Sequence, residues 1–145
     1  MPELTVIIIN YNSGGRLPHI LEALSQQTYQ DFDVLIYDNA SEDGSEQVVA
    51  PEGVTTRIIS SPENLGFAGG VMAAIKETDS EWVAVLNPDA YPEASWLTAL
   101  TQAAKTYGEN TILGSVQLRA DIPQILDGLG DVYHISGTAW RGGFG

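Results

Sequence analysis

The sequence predicts an α/β fold, a three-layer α/β/α arrangement around a mostly parallel central sheet. Three observations support this prediction. Apolar, β-branched runs alternate along the chain with segments whose apolar residues are three and four positions apart. The first runs are continuous rather than alternating, as in strands that are buried on both faces. Four of the runs end in loops rich in Asn, Asp, Ser or Gly, and such strand–helix units connect parallel strands by right-handed crossovers.

The composition is that of one acidic globular domain. The chain has 145 residues, of which 43% are hydrophobic, and this is enough to bury a core. Six Lys and Arg residues face 19 Asp and Glu residues, a formal net charge of -13, so we expect no nucleic-acid partner. The absence of Cys excludes disulfides and thiolate metal sites.

The N-terminal apolar run is short. Leu4–Ile9 has too few residues for a signal peptide or a membrane-spanning helix. We therefore expect no transmembrane segment and a cytoplasmic location, with peripheral membrane association left open.

The first half of the chain predicts two strand–helix units. Leu4–Ile9 is the first strand, and Phe32–Tyr37 is the second. The first helix has an apolar face, and Ser13 is a candidate for its N-cap. Ser41, followed by two acidic residues, predicts the capped start of a short helix to about Val49. The apolar face of the first helix is formed by Leu17, Ile20, Leu21 and Leu24.

The second half continues the alternation. Val54–Ser60 predicts a third strand, and a glycine-rich loop then leads into a helix that ends at about Thr78. An apolar strand of four or five residues begins at Trp82, and a helix with apolar residues at Leu97, Leu100, Ala104 and Tyr107 follows, closed by Gly108. Ile112–Leu118 predicts a fifth strand.

The remaining sequence is richer in glycine and lacks the strand–helix alternation. Residues 121–145 contain six glycines and one strand-like piece around Val132–Ile135. We expect a core domain at 1–118, and at 119–145 a glycine-rich flap or the start of a truncated second half.

Polar residues follow four of the predicted strands, at Asn10–Asn12, Asp38–Ser41, Asn64–Gly70 and Asn87–Asp89. In open α/β sheets, ligands bind in the crevice at the carboxyl ends of the strands. Pro88 restricts its own backbone and that of the preceding residue, which favours a fixed turn there. Each segment alone is equally explained as a turn, a cap or tight packing. Their occurrence in series predicts a binding site, and the missing Gly-x-Gly-x-x-Gly after the first strand argues against a dinucleotide.

These four segments, in this order and over about residues 4–118, resemble the inverting family 2 glycosyltransferases of the GT-A fold, in particular the rhamnosyltransferase-like members. The resemblance implies transfer of a sugar from a nucleoside diphosphate donor, UDP- or dTDP-linked, to an acceptor hydroxyl with inversion. The implied acceptor is a saccharide or a lipid-linked molecule, in cell-surface polysaccharide synthesis.

The resemblance also implies roles for single residues. Tyr11 has an aromatic face for a pyrimidine base, and Asp38 can accept a hydrogen bond from the base. Asp89 is a hard oxygen ligand suited to Mg²⁺ or Mn²⁺ on the donor diphosphate. The predicted donor-binding residues are Asn10, Tyr11, Asn12, Asp38, Asn64, Gly66, Gly69 and Asn87.

Two departures from the family pattern leave other functions open. Asn87 stands where the first Asp of the family's metal motif is expected, and no residue matches the catalytic base. We therefore expect the base to lie outside this chain and the fragment alone to be inactive in transfer, with Asp131 and His134 as weak substitutes. One alternative is a nucleotide-sugar-binding module without transferase activity. Another is a sugar nucleotidyltransferase, although the loop after the first strand holds a single basic residue, Arg16.

Overall fold

The computed structural model describes residues 2–108, 111–122, 124–128, 131–133 and 139–141, the last two ranges by their backbone only. The chain divides into two compact units, Met1–Ala99 and Leu100–Gly145. The elements in order are β1 (Leu4–Asn10), α1 (Arg16–Ser25), β2 (Phe32–Asp38), a 3₁₀ helix (Ser45–Gln47), β3 (Thr56–Ser60), α2 (Gly66–Ile75), β4 (Trp82–Leu86), α3 (Trp96–Tyr107), β5 (Gln117–Leu118), β6 (Leu126–Gly128), β7 (Asp131–Tyr133) and β8 (Ala139–Arg141).

The first unit contains a four-stranded sheet in the order β3-β2-β1-β4, and all three pairings are parallel. This confirms the predicted mostly parallel sheet. The strand order reverses between β1 and β4, because β2 and β3 extend the sheet on one side of β1 and β4 extends it on the other. A ligand crevice forms at such a reversal, outside the carboxyl ends of the strands.

The two central strands form the core. Every residue of β1 is buried, as are the last five of β2. Because successive side chains point to opposite faces, the continuous apolar run of β1 requires cover on both sides. On one face Ile7, Ile9, Leu35 and Tyr37 pack with Ala74 of α2. The four predicted apolar residues of α1 are also fully buried.

Four local predictions were wrong. Ser13 does not cap α1, since Gly15 occupies the N-cap position without a side-chain bond and the Ser13 hydroxyl binds Asn10 instead. The helix expected over 41–49 is only a 3₁₀ turn, because the side chains that suggested a cap are used to join two loops. The helix after the third strand ends at Ile75 rather than near Thr78, and β3 starts at Thr56.

The second unit differs from the predicted continuation of the sheet. The fifth strand was expected over 112–118, but only Gln117–Leu118 is a strand, and it pairs antiparallel with β6. Ile112 is fully exposed, so its β-branched side chain is not part of a buried strand as the sequence pattern had suggested. β7 and β8 form another antiparallel pair. The predicted domain boundary at 118 stays a prediction, and His134 lies outside the described residues.

Among the described helices, none has the length and apolarity needed to cross a lipid bilayer.

Candidate functional site

A buried polar network centred on Asn10 joins the carboxyl ends of β1 and β2. Asn10 and Asp38 are opposite each other in the strand register. The Asn10 Nδ2 group donates to Asp38 Oδ1 at 2.7 Å and to Ser45 Oγ at 2.9 Å, while the Ser13 hydroxyl donates to Asn10 Oδ1. Asn10 has no exposed surface. The Asn10 side chain therefore fixes the position of the Asp38 carboxylate from the buried side of the network.

Asp38 receives further bonds from the loop that follows it. The Ser41 hydroxyl donates to Asp38 Oδ1 at 2.6 Å, and the Ser41 backbone N–H donates to Oδ2 at 3.1 Å. A carboxylate oxygen can accept two hydrogen bonds. Among the described residues Oδ2 accepts this one bond, so it retains the capacity to accept an N–H from a ligand.

The loops after β1 and β2 are also joined at the surface. Asn12 donates its backbone N–H to Ser41 Oγ at 3.0 Å and accepts the Glu42 N–H on its Oδ1 at 2.8 Å. The Gly14 N–H donates to Asp43 Oδ2 at 2.8 Å. Bonds from the Ser45 hydroxyl and then from the Ser45 backbone hold the pKa of Asp43 below its usual value. The two loops thus form one connected surface.

Strained backbone is found in the same two loops. In the described chain the non-glycine residues with positive φ are Asn12 at 48° and Ala40 at 62°. Asn tolerates this region, whereas for Ala the left-handed conformation costs about 1–2 kcal/mol. Strain of this kind persists only where the surroundings enforce it, and it is concentrated at functional sites.

Tyr11 directly follows the network and is 51% exposed. Its neighbour Asn10 is fully buried, so the chain passes from core to solvent within one residue. An exposed tyrosine ring beside a buried carboxylate offers a stacking face together with a hydrogen-bond acceptor, the two groups that recognise a planar base carrying an N–H.

The glycine-rich segment forms the start of α2. The Gly66 N–H donates to Asn64 Oδ1 at 2.8 Å, and Gly66 has a φ of 71°, which favours glycine. A Cβ at Gly69 would lie 2.9 Å from the Cβ of Leu65, so this position also requires glycine. The N-cap residue Leu65 makes no side-chain capping bond. Apart from the Gly66 N–H, which Asn64 accepts, the first-turn N–H groups of α2 are therefore open to solvent or an anionic ligand.

Asn87 and Asp89 follow β4 on the other side of the strand-order reversal. Both residues are exposed, and the Ala90 N–H donates to the Asn87 carbonyl at 3.1 Å, closing a turn. The described residues contain no group of three or more acidic or His side chains placed to share a metal ion. One carboxylate and one amide oxygen are nevertheless consistent with Mg²⁺, which usually takes one or two carboxylates together with substrate phosphates.

A cavity of the described chain lies elsewhere. Its volume is about 240 Å³, and its lining residues belong to the amino-terminal edge of the sheet: Pro2, Asp33, Arg57, Glu77, Thr78, Asp79 and Ser80. We place the functional site at the opposite edge, because strand-end loops, strained backbone, an exposed aromatic ring and the strand-order reversal occur together there.

The structure brings most of the predicted site residues to this edge but also shows residues that the sequence patterns missed. Asn39, Ser45 and Asp43 support the two loops, and none of them was among the predicted donor-binding residues. For Asn39 a signal existed, since it follows Asp38 directly within a strand-end segment. For Ser45 and Asp43 the only signal was the misread helix start.

A parallel sheet of this order, with polar groups collected at the carboxyl ends of β1, β2 and β4, is typical of nucleotide-binding α/β domains, the GT-A type among them. The family model described as glycosyl transferase family 2 matches residues 5–124. The chain belongs to this family, which confirms the resemblance drawn from the four strand-end segments.

Relatives and solved structures agree with this assignment. The chain is 29% identical over 141 residues to an N-acetylglucosaminyl-diphospho-decaprenol L-rhamnosyltransferase of Mycobacterium tuberculosis, covering 90% of this chain and 43% of the relative. It is 25% identical to the glycosyltransferase AglE of Haloferax volcanii, covering 81% of this chain and 40% of the relative. The chain thus spans less than half the length of these relatives.

Two solved structures share the fold. The mannosyltransferase PcManGT of Pyrobaculum calidifontis, in complex with GDP-Man and Mn²⁺, is 25% identical with a TM-score of 0.65, covering 81% of this chain and 35% of that one. S. aureus TarS 1-349 in complex with UDP-GlcNAc is 18% identical with a TM-score of 0.66, covering 81% of this chain and 38% of that one. At this identity the second similarity supports the fold alone.

Proposed function

We propose that this chain is the donor-binding part of a glycosyltransferase that moves a sugar from UDP- or dTDP-sugar to an acceptor hydroxyl with inversion. The observation that carries the proposal is the pairing of Asp38, held by Asn10 and Ser41, with the exposed ring of Tyr11 at the same strand ends. Family membership and nucleotide-sugar complexes of similar folds support it.

Base recognition would rest on two contacts. The ring of Tyr11 would stack on the base, and Asp38 Oδ2 would accept its N–H. Uracil and thymine present one ring and one imide N–H, which matches one stacking face and one acceptor. A purine would need additional depth between the two loops.

The diphosphate would lie toward Asn87, Asp89 and the start of α2. Neutralisation must be local, because the chain carries 19 acidic residues and six basic ones. We propose that Asp89, together with Asn87, holds Mg²⁺ or Mn²⁺ through its oxygen atoms. When bound, the metal supplies stabilisation of the negative charge that develops on the leaving nucleoside diphosphate. The uncapped N–H groups of α2 would add dipolar stabilisation of phosphate.

None of the described residues is proposed as the catalytic base. Inversion in one step requires a base within about 2.6–3.2 Å of the acceptor hydroxyl, and the relatives are more than twice the length of this chain. We expect the chain alone to bind the donor. Its rate of sugar transfer should be lower than that of the full-length protein by a factor of about 10²–10⁴ or more. The proposed acceptor is a saccharide or a lipid-linked molecule in cell-surface polysaccharide synthesis, and the diphospho-decaprenol in the name of the mycobacterial relative supports the lipid-linked form.

Calorimetric titration with UDP, dTDP, ADP and GDP, each with Mg²⁺, tests the donor class. We expect UDP and dTDP to bind more tightly than the two purine nucleotides. Equal affinities would contradict the assigned roles of Tyr11 and Asp38, and preference for GDP would move the donor class to that of the neighbour crystallised with GDP-Man.

A donor-binding module without transferase activity remains the second candidate, favoured by Asn87 in place of an acidic metal ligand. Transfer of radiolabelled sugar by the full-length parent protein to saccharide and lipid-linked acceptors would exclude it.

A further inference from the structure

Asn39 is the buried residue that joins the Asp38 loop to the start of α2. It is 2% exposed, and its backbone N–H donates to the Asn10 carbonyl at 2.8 Å. Its side-chain Nδ2 donates to the Gly66 carbonyl at 2.9 Å, and its Oδ1 accepts the Leu65 N–H at 3.2 Å. One amide thus satisfies two backbone groups of a segment 26 and 27 residues further along the chain.

The surroundings of Asn39 allow the amide little freedom. A Cβ added at Gly70 would lie 3.1 Å from Asn39 Nδ2 and 3.1 Å from Ile9 Cγ2, so helix α2 packs directly against the amide and against β1. Ala40, the next residue, has a strained φ of 62°. Interiors packed to this degree transmit a displacement rather than absorb it.

Asn39 is bonded to one side of the Leu65–Gly66 turn, and the exposed side of the same turn carries Asn64, whose Oδ1 accepts the Gly66 N–H. The turn therefore has a buried anchor and a solvent-facing surface. The anchor follows directly after Asp38, whose carbonyl accepts the Ser61 N–H at 2.8 Å.

We propose that Asn39 is a positioning residue that holds the Asp38 loop and the start of α2 in one rigid wall of the donor site. This inference rests on the proposed function. Asn39 would contact no donor atom, since its two side-chain polar atoms are bonded to backbone groups. Its effect on donor affinity arises through the positions of Asn64, Gly66 and the first N–H groups of α2.

The test compares Asn39→Ala with Gln27→Ala. Gln27 is a matched control because it is also 2% exposed and its amide also joins two distant backbone groups, donating to the Glu93 carbonyl at 2.8 Å and accepting the Leu97 N–H at 3.0 Å. Both variants lose a buried bridging amide and should lose similar stability, but only Asn39→Ala releases the start of α2.

Two measurements are made on each protein: hydrogen exchange of the Leu65 and Gly66 amides relative to β2 amides, and calorimetric affinity for UDP with Mg²⁺ below the unfolding transition. In Asn39→Ala we expect faster exchange at Leu65, unchanged protection in β2, and UDP affinity lowered by about tenfold or more, since small misplacements of binding groups have large effects. Gln27→Ala should bind UDP as wild type does. If Asn39→Ala does not fold, Asn39→Ser keeps a polar group that is too short to reach both backbone partners.

Unchanged Leu65 exchange in the Asn39 variant would overturn the positioning role. UDP affinity within about twofold of wild type, or an equal loss in Gln27→Ala, would overturn it while leaving the proposed function intact. If the wild-type protein binds none of UDP, dTDP, ADP and GDP, the proposed function and the donor role of Asn39 are both overturned. The wild-type titration alone shows this outcome.

Discussion

At the amino-terminal edge of the sheet, Thr5 is fully buried, and its hydroxyl donates to Asp33 Oδ1 at 2.6 Å. A hydroxyl has one hydrogen, so the Thr78 hydroxyl, at 2.7 Å, donates to Thr5 in return. The Ser80 hydroxyl also lies 2.8 Å from the Thr5 hydroxyl and donates to the Pro2 carbonyl at 3.2 Å. Five residues further along the same strand, Asn10 is the corresponding buried polar residue at the carboxyl-terminal edge.

The two edges use similar buried groups for different purposes. The hydroxyls of Thr78 and Ser80 lie within hydrogen-bond distance of the Thr5 hydroxyl, and the backbone of all three residues is unstrained. This network holds the amino-terminal edge together and lies beside the cavity. At the carboxyl edge, Asn10 and Ser41 instead fix a carboxylate that retains capacity to accept, next to two strained residues and an exposed ring. Similar burial of polar groups therefore does not by itself indicate a site, whereas unused hydrogen-bonding capacity beside enforced strain does.

Asp38 and Asp33 lie near the two ends of β2. Replacing each with Asn is the strongest test of the functional difference between the two edges of the sheet. Asp38→Asn replaces the charged acceptor, and hydrogen bonds to charged groups contribute about 1.5–3 kcal/mol, so we expect UDP affinity to fall about 10- to 150-fold. Asp33→Asn should leave UDP affinity unchanged, because the amide oxygen still accepts from Thr5. Calorimetry on both variants checks this, and an equal loss in both would abolish the functional distinction between the edges.

Asp89 and Asp79 flank β4 in the same way. Chelation of Mg²⁺ with EDTA should lower UDP affinity to nearly that of uridine, while uridine affinity itself stays constant, because the metal acts on the diphosphate. Asp89→Asn should reproduce most of this loss, and Asp79→Asn should not. Titrations of UDP and uridine with and without EDTA measure the effect. UDP binding insensitive to EDTA would leave Asp89 as a turn residue.

Tyr11 follows β1 and Tyr29 precedes β2, which gives an aromatic pair at opposite edges. Tyr11→Ala should weaken UDP and uridine binding alike by about 1–3 kcal/mol, the range for base stacking on an aromatic side chain. Tyr11→Phe keeps the ring and should bind nearly as wild type does. Tyr29 donates its hydroxyl to Glu3, so Tyr29→Ala should lower the unfolding midpoint in urea without changing affinity. Normal binding by Tyr11→Ala would remove the stacking role.

The smallest expected effect concerns the surface hydrogen bonds of Asp43 with Gly14 and Ser45, here called the clasp. The folded pKa of Asp43 lies below the ordinary value because the charged form accepts bonds from Ser45 and Gly14, so the clasp stabilises the fold fully above the unfolded pKa of about 3.9. This stability is lost as the pH falls through the lowered folded pKa. Urea midpoints of wild type and Asp43→Asn should differ at pH 6 and converge toward pH 3. A difference that stays constant with pH would exclude titration of Asp43 as its source.

Much of the first unit followed from local patterns. The continuous apolar runs of β1 and β2 can be satisfied only in a sheet covered on both faces, and the spacing of Leu17, Ile20, Leu21 and Leu24 allows only a helix with one buried face. Parallel pairing then places the ends of β1, β2 and β4 at one edge. For this reason Asp38, Tyr11 and Asp89 could be identified as site candidates from the sequence.

The tertiary structure decided which polar residues face a ligand and which hold those that do. Asn10 and Asp38 are indistinguishable as strand-end polar residues in the sequence, yet burial and bond partners make one the support of the other. The side-chain partners of Asn39 are Leu65 and Gly66, and Ser45 accepts a bond from Asn10 of β1. Ser13 and Ser41 were misread as helix caps because a Ser before a helical pattern has the same local signature whether it caps the helix or bonds to another side chain. A hydrogen bond between distant segments depends on how strands are paired and helices packed, and no local pattern contains that information.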